Sequence, residues 1–157
     1  MGEVIVRKAR VKDLDLLSSM ALDILKYHAS FDDYYTPTKD ARKSQYVYLK
    51  SCIYSRRYLL LVIEKDNKIL GYLNAWIKKL PPSFLTKQIG YINDAYVKPT
   101  CRRKGLIEQA LEESYKWFKL KKIKRVELSV HLSNNIGLKA WIKYGFKPVR
   151  QSMKKFI

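Results

Sequence analysis

Arg102-Arg103-Lys104-Gly105 follows a short apolar stretch that ends at Val97-Lys98-Pro99, and it precedes a periodic run from Leu106 to Leu120. A strand, a turn of three cations and a glycine at a helix start gather positive charge and unpaired amides in one place. The first four N–H groups of a helix lack intrahelical partners and sit at the positive end of its dipole, so such a turn suits a pyrophosphate. Glycine costs a helix about 1 kcal/mol relative to alanine, which close approach of a ligand to the backbone would offset. The same residues also fit an ordinary basic connection between a strand and a helix. A second grouping is acidic and aromatic: Asp23, Asp32, Asp33 and Asp40 lie near Tyr27, His28, Tyr34 and Tyr35. In a basic chain that local acidity suits a cationic amine, although a capped, hydrated loop would look the same. His131 stands alone at a strand end, either as a base or as a satisfied structural side chain. Cys52 and Cys101 have no C-x-x-C spacing or nearby His, so free thiols are expected and neither a disulfide nor a metal site.

The elements that must position these groups follow from periodicity. Glu3 to Ala9 alternates like a strand, and Leu14, Leu17, Met20, Ala21, Ile24 and Leu25 line one face of a helix. Thr38 and Asp40 are expected to cap a second helix running to about Ser55. Tyr58 to Glu64, a turn at Asp66-Asn67-Lys68, and Ile69 to Lys78 read as a hairpin of buried strands, closed off by Pro81-Pro82. Gln88 to Val97 is a strand, Gly105 to Leu120 an amphipathic helix, and Val126 to Val130 a strand. Ser133 or Asn134 then caps a last helix to Tyr144, Gly145 stops it, and Phe146 to Ile157 is strand-like. The expected fold is α/β (α+β): a mixed, mostly antiparallel sheet of about seven strands covered by about four helices, in a single domain over residues 1–157.

The sequence has 157 residues and is 47% hydrophobic, enough for a core and too apolar for disorder. The longest plainly apolar run, Tyr58 to Ile63, is far short of the roughly 18 residues a membrane span needs. No membrane association, leader or myristoylation signal is expected, and a cytoplasmic location is. Net charge is +18, and residues 98–157 hold 16 basic against 4 acidic residues. Nucleic acid, a phosphorylated cofactor and a plainly solvated surface all remain compatible with that.

Val97-Lys98-Pro99 with Arg102-Arg103-Lys104-Gly105-Leu106 resembles the signature of the GNAT superfamily of acyl-CoA-dependent N-acetyltransferases: a strand ending in a Val-x-Pro-like segment, then Arg/Gln-x-x-Gly-x-Gly/Ala and a helix. Asn134, Gly137, Trp141 and Gly145-Phe146 stand where the family often shows Asn-x-x-Ala, a Tyr and Gly-Phe, and Val4 to Arg10 leading into Asp13 looks like its opening. The resemblance covers nearly the whole chain. It implies a GNAT-type fold and acetyl transfer from acetyl-CoA, without a metal, to a primary amine on a small molecule or peptide. It implies cofactor contacts at Ala95, Tyr96, Val97, Arg102, Arg103, Lys104, Gly105, Leu106, Ile107, Asn134 and Trp141, with a backbone amide of residues 95–97 polarising the thioester. Asp94 is the candidate base, because the family places acidic residues at this level of the strand. Tyr144 is the candidate acid, because Trp141 stands at the family's tyrosine position and an indole is no practical acid; packing roles for both are equally open. Ile107 stands where the family has a small residue and is a possible obstruction to the pyrophosphate. Asp32, Asp33, Tyr34, Tyr35 and Tyr27 are the substrate-binding candidates. The rival readings are a nucleic-acid-binding module on the basic C-terminal face and a CoA-binding sensor that has lost catalysis. No specific nucleic-acid binding is expected; a homodimer is compatible.

Overall fold

The structure is a computed structural model that describes residues 2–157. Five strands form one sheet in the order β1-β2-β3-β4-β5: β1 (Val4–Lys8), β2 (Tyr58–Lys65), β3 (Lys68–Lys79), β4 (Gln88–Val97) and β5 (Val126–Glu127). Neighbours are antiparallel except β4 and β5, which run parallel. Four helices cover the sheet: α1 (Leu14–Ala29), α2 (Ala41–Tyr54), α3 (Leu106–Leu120) and α4 (Asn135–Lys143).

The central strands are apolar throughout because both of their faces are buried. Leu59, Leu61 and Ile63 of β2 join Leu73, Ala75 and Ile77 of β3 against Leu106, Ala110, Leu111 and Phe118 of α3. Their alternates Leu60, Val62 and Tyr72 pack on Leu14, Leu17, Met20 and Ile24 of α1 and Leu49 of α2. The β2–β3 turn is a two-residue loop with Asp66 at φ 50° and Asn67 at φ 59°, the left-handed pair of a type I′ hairpin that these residue types favour.

One irregularity matters for the site. Asn74 pairs with Asp94 while Ala75 pairs with Ile92, so Asn93 is an extra residue, a bulge in β4. Without it, strict alternation would put Ile92, Asp94 and Tyr96 on one face. With it, Ile92 and Val97 both face α3, and Asp94 and Tyr96 turn toward α1 and α2.

Two sequence expectations need correction. Among the described residues the sheet has five strands rather than seven: β5 covers Val126 and Glu127 only, and Phe146 to Ile157 forms no strand. That tail alternates, but Pro148 lacks an N–H, and Val149, Met153 and Phe156 are 68%, 92% and 73% exposed. Alternation without an edge to pair with does not make a strand. Asp40 is the N-cap residue of α2, yet its side chain makes no capping bond; instead the Ala41 amide donates to the Thr38 carbonyl at 3.1 Å.

Candidate active site

β4 ends at Val97 and the chain turns through Pro99–Cys101 into α3. Arg103 (φ 63°) and Gly105 (φ 69°) are both left-handed. Gly105 is the N-cap of α3, and no side chain caps the helix. A Cβ at Gly105 would meet only Glu108 Oε2, at 3.9 Å. Neighbouring side chains therefore do not demand glycine there. The left-handed backbone favours it, and the open space lies beside uncapped amides. Leu106 is buried and Ile107 packs on the α3-side core, so the Ile107 side chain is directed away from that space. Arg103 and Lys104 are exposed, whereas Arg102 Nε donates to the Val97 carbonyl at 3.1 Å and staples the turn to the strand.

β4 and β5 pair only at Gly90–Val126 and Tyr91–Glu127. Beyond Tyr91 they part, and the side of residues 92–97 away from β3 has no strand partner. Opening at the carboxyl ends of two parallel strands, each followed by a helix, this crevice has the topology that binds ligands in open α/β sheets. On the β5 side, Asn134 caps α4 by accepting from the Gly137 amide at 2.9 Å and also accepts from the Tyr27 hydroxyl at 3.1 Å. A Cβ at residue 137 would lie 2.5 Å from the Asn134 amide nitrogen, which is why glycine stands there. Asn134 thus ties α4 to α1. Trp141 packs edge-on against Tyr144 and Phe146 at 6.0 and 5.4 Å. Burial and the neighbouring Glu108 carboxylate hold the Tyr144 phenol above its ordinary pKa. His131 Nδ1 accepts from the Ser133 amide at 3.1 Å and its ring stacks on Phe31 at 5.7 Å, so it is engaged structurally.

Asp94 enters a polar pocket between β3, β4 and α2. Asn74, fully buried, donates from Nδ2 to the Tyr48 hydroxyl at 3.1 Å and approaches Cys52 Sγ at 4.0 Å. Asn93 Nδ2 reaches Asp94 Oδ2 at 3.3 Å and the Tyr48 hydroxyl at 3.4 Å. Two buried polar atoms there, Tyr72 Oη and Asn74 Oδ1, have no hydrogen-bond partner. Each such orphan costs about 1–3 kcal/mol, so two beside one carboxyl mark a place built to receive something polar. Burial pushes the Asp94 carboxyl above its ordinary value, against the opposing pull of Asn93 and Asn74. Burial likewise raises the phenols of Tyr48 and Tyr72 and the Cys52 thiol. Tyr48, Cys52, Tyr72 and Asn74 were not foreseen. Only Asn74, a lone amide in the apolar run Ile69 to Ile77, carried a signal.

The acidic loop divides. Asp32 is buried, accepts from the Tyr34 amide at 3.3 Å, and is held below its ordinary pKa first by the Lys154 ammonium 2.7 Å away. Asp23 accepts from the Tyr96 hydroxyl at 3.1 Å, linking α1 to β4. Asp33, Tyr34 and Tyr35 are exposed. Among the described residues no group of His, Cys, Asp or Glu could hold a metal ion, and no helix is long and apolar enough to cross a membrane.

No curated protein matches the sequence. A mutant of the BH1408 protein of Bacillus halodurans has a similar structure, with TM-score 0.88 at 18% identity over 98% of this chain and 99% of that one. A predicted acetyltransferase of Clostridium acetobutylicum, solved with acetyl-CoA, gives 0.76 at 23% identity over 98% and 96%. The aminoglycoside 6′-N-acetyltransferase AAC(6′)-Ih of Acinetobacter baumannii gives 0.75 at 18% identity over 99% of each chain. At these identities the likeness establishes the fold. The family model "Acetyltransferase (GNAT) family" matches residues 24–146, from within α1 through the splayed strand pair to the end of α4, and the chain belongs to that family.

Proposed function

We propose that the protein transfers an acetyl group from acetyl-CoA directly to a primary amine, with Asp94 as the base that relieves the amine of its proton. The observation that carries this reading is the continuity of β4: its bulge aims Asp94 into the polar pocket, and its end delivers the chain to the uncapped turn before α3. The space beside Gly105 is open to a Cβ, and the amides of residues 103–107 with the side chains of Arg103 and Lys104 would hold a pyrophosphate there. The backbone of Ala95, Tyr96 and Val97 on the side left open by β5 would take the acyl end. Acetyl-CoA supplies the thioester; the chain's own groups manage the proton.

An alkylammonium has a pKa near about 10.4 and is mostly unreactive at neutral pH. A carboxylate whose pKa is raised by burial is a better proton acceptor than an exposed one, and its charge draws the cation in. Asn93 donates to Asp94 and to the Tyr48 hydroxyl, which also accepts from Asn74. On the other side Tyr144, just after α4 and kept protonated by burial and by Glu108, is the phenol that would give a proton to the departing thiolate. Asp33, Tyr34, Tyr35 and Tyr27 lie where α1 ends and would meet the acceptor, while Asp32 is already engaged by Lys154.

The test is CoA release measured against a panel of amines: a polyamine, an amino acid, a lysine peptide and an aminoglycoside, the last because a similar structure is an aminoglycoside acetyltransferase. Acceptor-dependent release is expected, with Asp94→Asn lowering kcat about 100-fold or more and leaving acetyl-CoA binding intact. A silent Asp94→Asn, or release with no amine of the panel, would sink the assignment.

A further inference from the structure

A second group of basic residues, apart from the turn before α3, lies at the other end of the sheet. Strand directions bring together there the end of β1, the starts of β2, β4 and β5, and the C-terminal ends of α2 and α3. The connectors 55–57, 80–87 and 121–125 at this end hold seven lysines and arginines and no acidic residue. Some are used internally. Lys87 donates to the Pro82 and Phe84 carbonyls, Arg57 donates to the Ile77 carbonyl, and Arg125 pairs with Glu127 at 2.8 Å. Lys8, Arg56, Lys121, Lys122 and Lys124 are exposed, and among the described residues none has an ion-pair partner.

Three of these cations, Lys8, Arg56 and Lys121, line a groove of about 270 Å³ whose walls include Tyr54, Tyr58 and Trp117. Tyr54 is 70% exposed, and Tyr58 lies flat on Trp76 at 5.8 Å and 10°. The groove is just below the range of about 300–1,000 Å³ typical of ligand pockets, so it takes one unit of a chain rather than a whole compact ligand. Cations spaced around a groove with an exposed tyrosine ring at its rim match a phosphate backbone with an unstacked base. A duplex would leave the Tyr54 ring idle, and so would an acidic peptide. α3, 15 residues long, separates this groove from the Gly105 turn by about 22 Å.

We propose that this end of the molecule binds single-stranded nucleic acid without sequence preference, independently of acetyl-CoA. The probe is a fluorescein-labelled deoxythymidine 12-mer, followed by anisotropy across a salt series. Its affinity should fall steeply with salt. The Arg56→Ala/Lys121→Ala double variant should weaken it at least tenfold and lower the salt slope by about 1.4, roughly 0.7 per lost phosphate contact. Tyr54→Ala should weaken it at least about fivefold by removing a stacking face. All three side chains are exposed, and an unchanged circular-dichroism melt confirms the fold. Arg103→Ala and saturating acetyl-CoA should change nothing. Unchanged affinity in the double variant would overturn the proposal. Competition by acetyl-CoA or loss in Arg103→Ala would do the same, placing the strand on the cofactor turn instead. Equal binding of a duplex, or of poly-L-glutamate of matched charge, would reduce the surface to a general polycation and overturn it as well.

Discussion

At the scale of single residues the pocket around Asp94 is organised by what is missing from it. Tyr72 is fully buried, yet its hydroxyl has no partner. Deleting a buried, unpaired hydroxyl removes its desolvation penalty, so Tyr72→Phe should stabilise the protein by about 1 kcal/mol, read as a higher urea midpoint with unchanged slope. Destabilisation would mean that the hydroxyl is satisfied after all. Turnover is expected to follow the ionisation of Asp94, whose carboxyl burial raises. The sign of the pH effect is fixed by the direction of the Asp94 shift. Its carboxyl is raised above 3.8 in the fold, so turnover that needs the carboxylate falls as pH drops through that raised value, and ionised Asp94 costs stability at all higher pH. Trp141 stands differently: its ring is packed between Tyr144 and Phe146. A thiolate with a pKa near about 8.5 leaves with modest help, so Trp141→Phe should keep kcat within about tenfold, a barrier change of about 1.4 kcal/mol. A dead but folded Trp141→Phe would show that the indole does more than pack.

At the scale of elements, the entry into α1 is held by a cluster of opposite charges. Arg7 of β1 donates to Asp13 at 2.8 Å and to Glu64 of β2 at 2.6 Å, and Asp13 also accepts from the Arg10 amide at 2.7 Å. Burial alone would raise the Asp13 pKa, but Arg7 and the Arg10 amide outweigh it and hold the carboxyl below its ordinary value. Asp13 is 5% exposed, so removing Arg7 leaves a buried carboxylate without a cation, held only by the Arg10 amide. Arg7→Ala should cost about 3–5 kcal/mol, measured by chemical denaturation, whereas Arg42→Ala, whose exposed contact to Asp15 is 3.9 Å long, should cost less than about 1 kcal/mol. Because Asp13 titrates lower folded than unfolded, its contribution is complete above the ordinary value of 3.8 and disappears as pH falls through the folded value. Equal losses in the two variants would refute the cluster as a tether.

The same elements show what sequence can and cannot report. α1, α3 and the β2–β3 hairpin were legible because each writes its own period and its own stop signals. The turn 102–105 was legible for the same reason, since strand end, charge and glycine are contiguous. β5 and the tail were misjudged because pairing depends on a partner edge that local alternation does not encode. The bulge at Asn93 left no trace in composition, yet it decides which way Asp94 faces. Tyr48 and Cys52 reach Asn74, beside Asp94, from a helix some forty residues earlier in the chain, and nothing near Asp94 in sequence points to them.

At the scale of the whole molecule, charge at the two ends of the sheet should serve different ligands, and heat stability can separate them. A ligand that binds only the folded state stabilises by about 2.7 kcal/mol at about 100 times its Kd. For a chain of this size that raises Tm by about 5–11 °C, so saturating acetyl-CoA should produce a shift of that order. Gly105 is where the prediction is sharpest, because two effects at one residue can be told apart. Its φ of 69° means that any Cβ costs about 1–2 kcal/mol in the free protein, lowering Tm with or without ligand. The space around that Cβ is otherwise open, so loss of the ligand-dependent shift must come from the ligand side. Gly105→Ala should therefore lower the starting Tm and reduce the shift, and Gly105→Asp, which adds a negative charge among the uncapped amides, should abolish it. Lys121→Ala, at the far end of α3, should keep the full shift. A Gly105→Asp variant that melts lower but is still stabilised by acetyl-CoA as the wild type is would remove the pyrophosphate from this turn and with it the placement of the acyl end along β4.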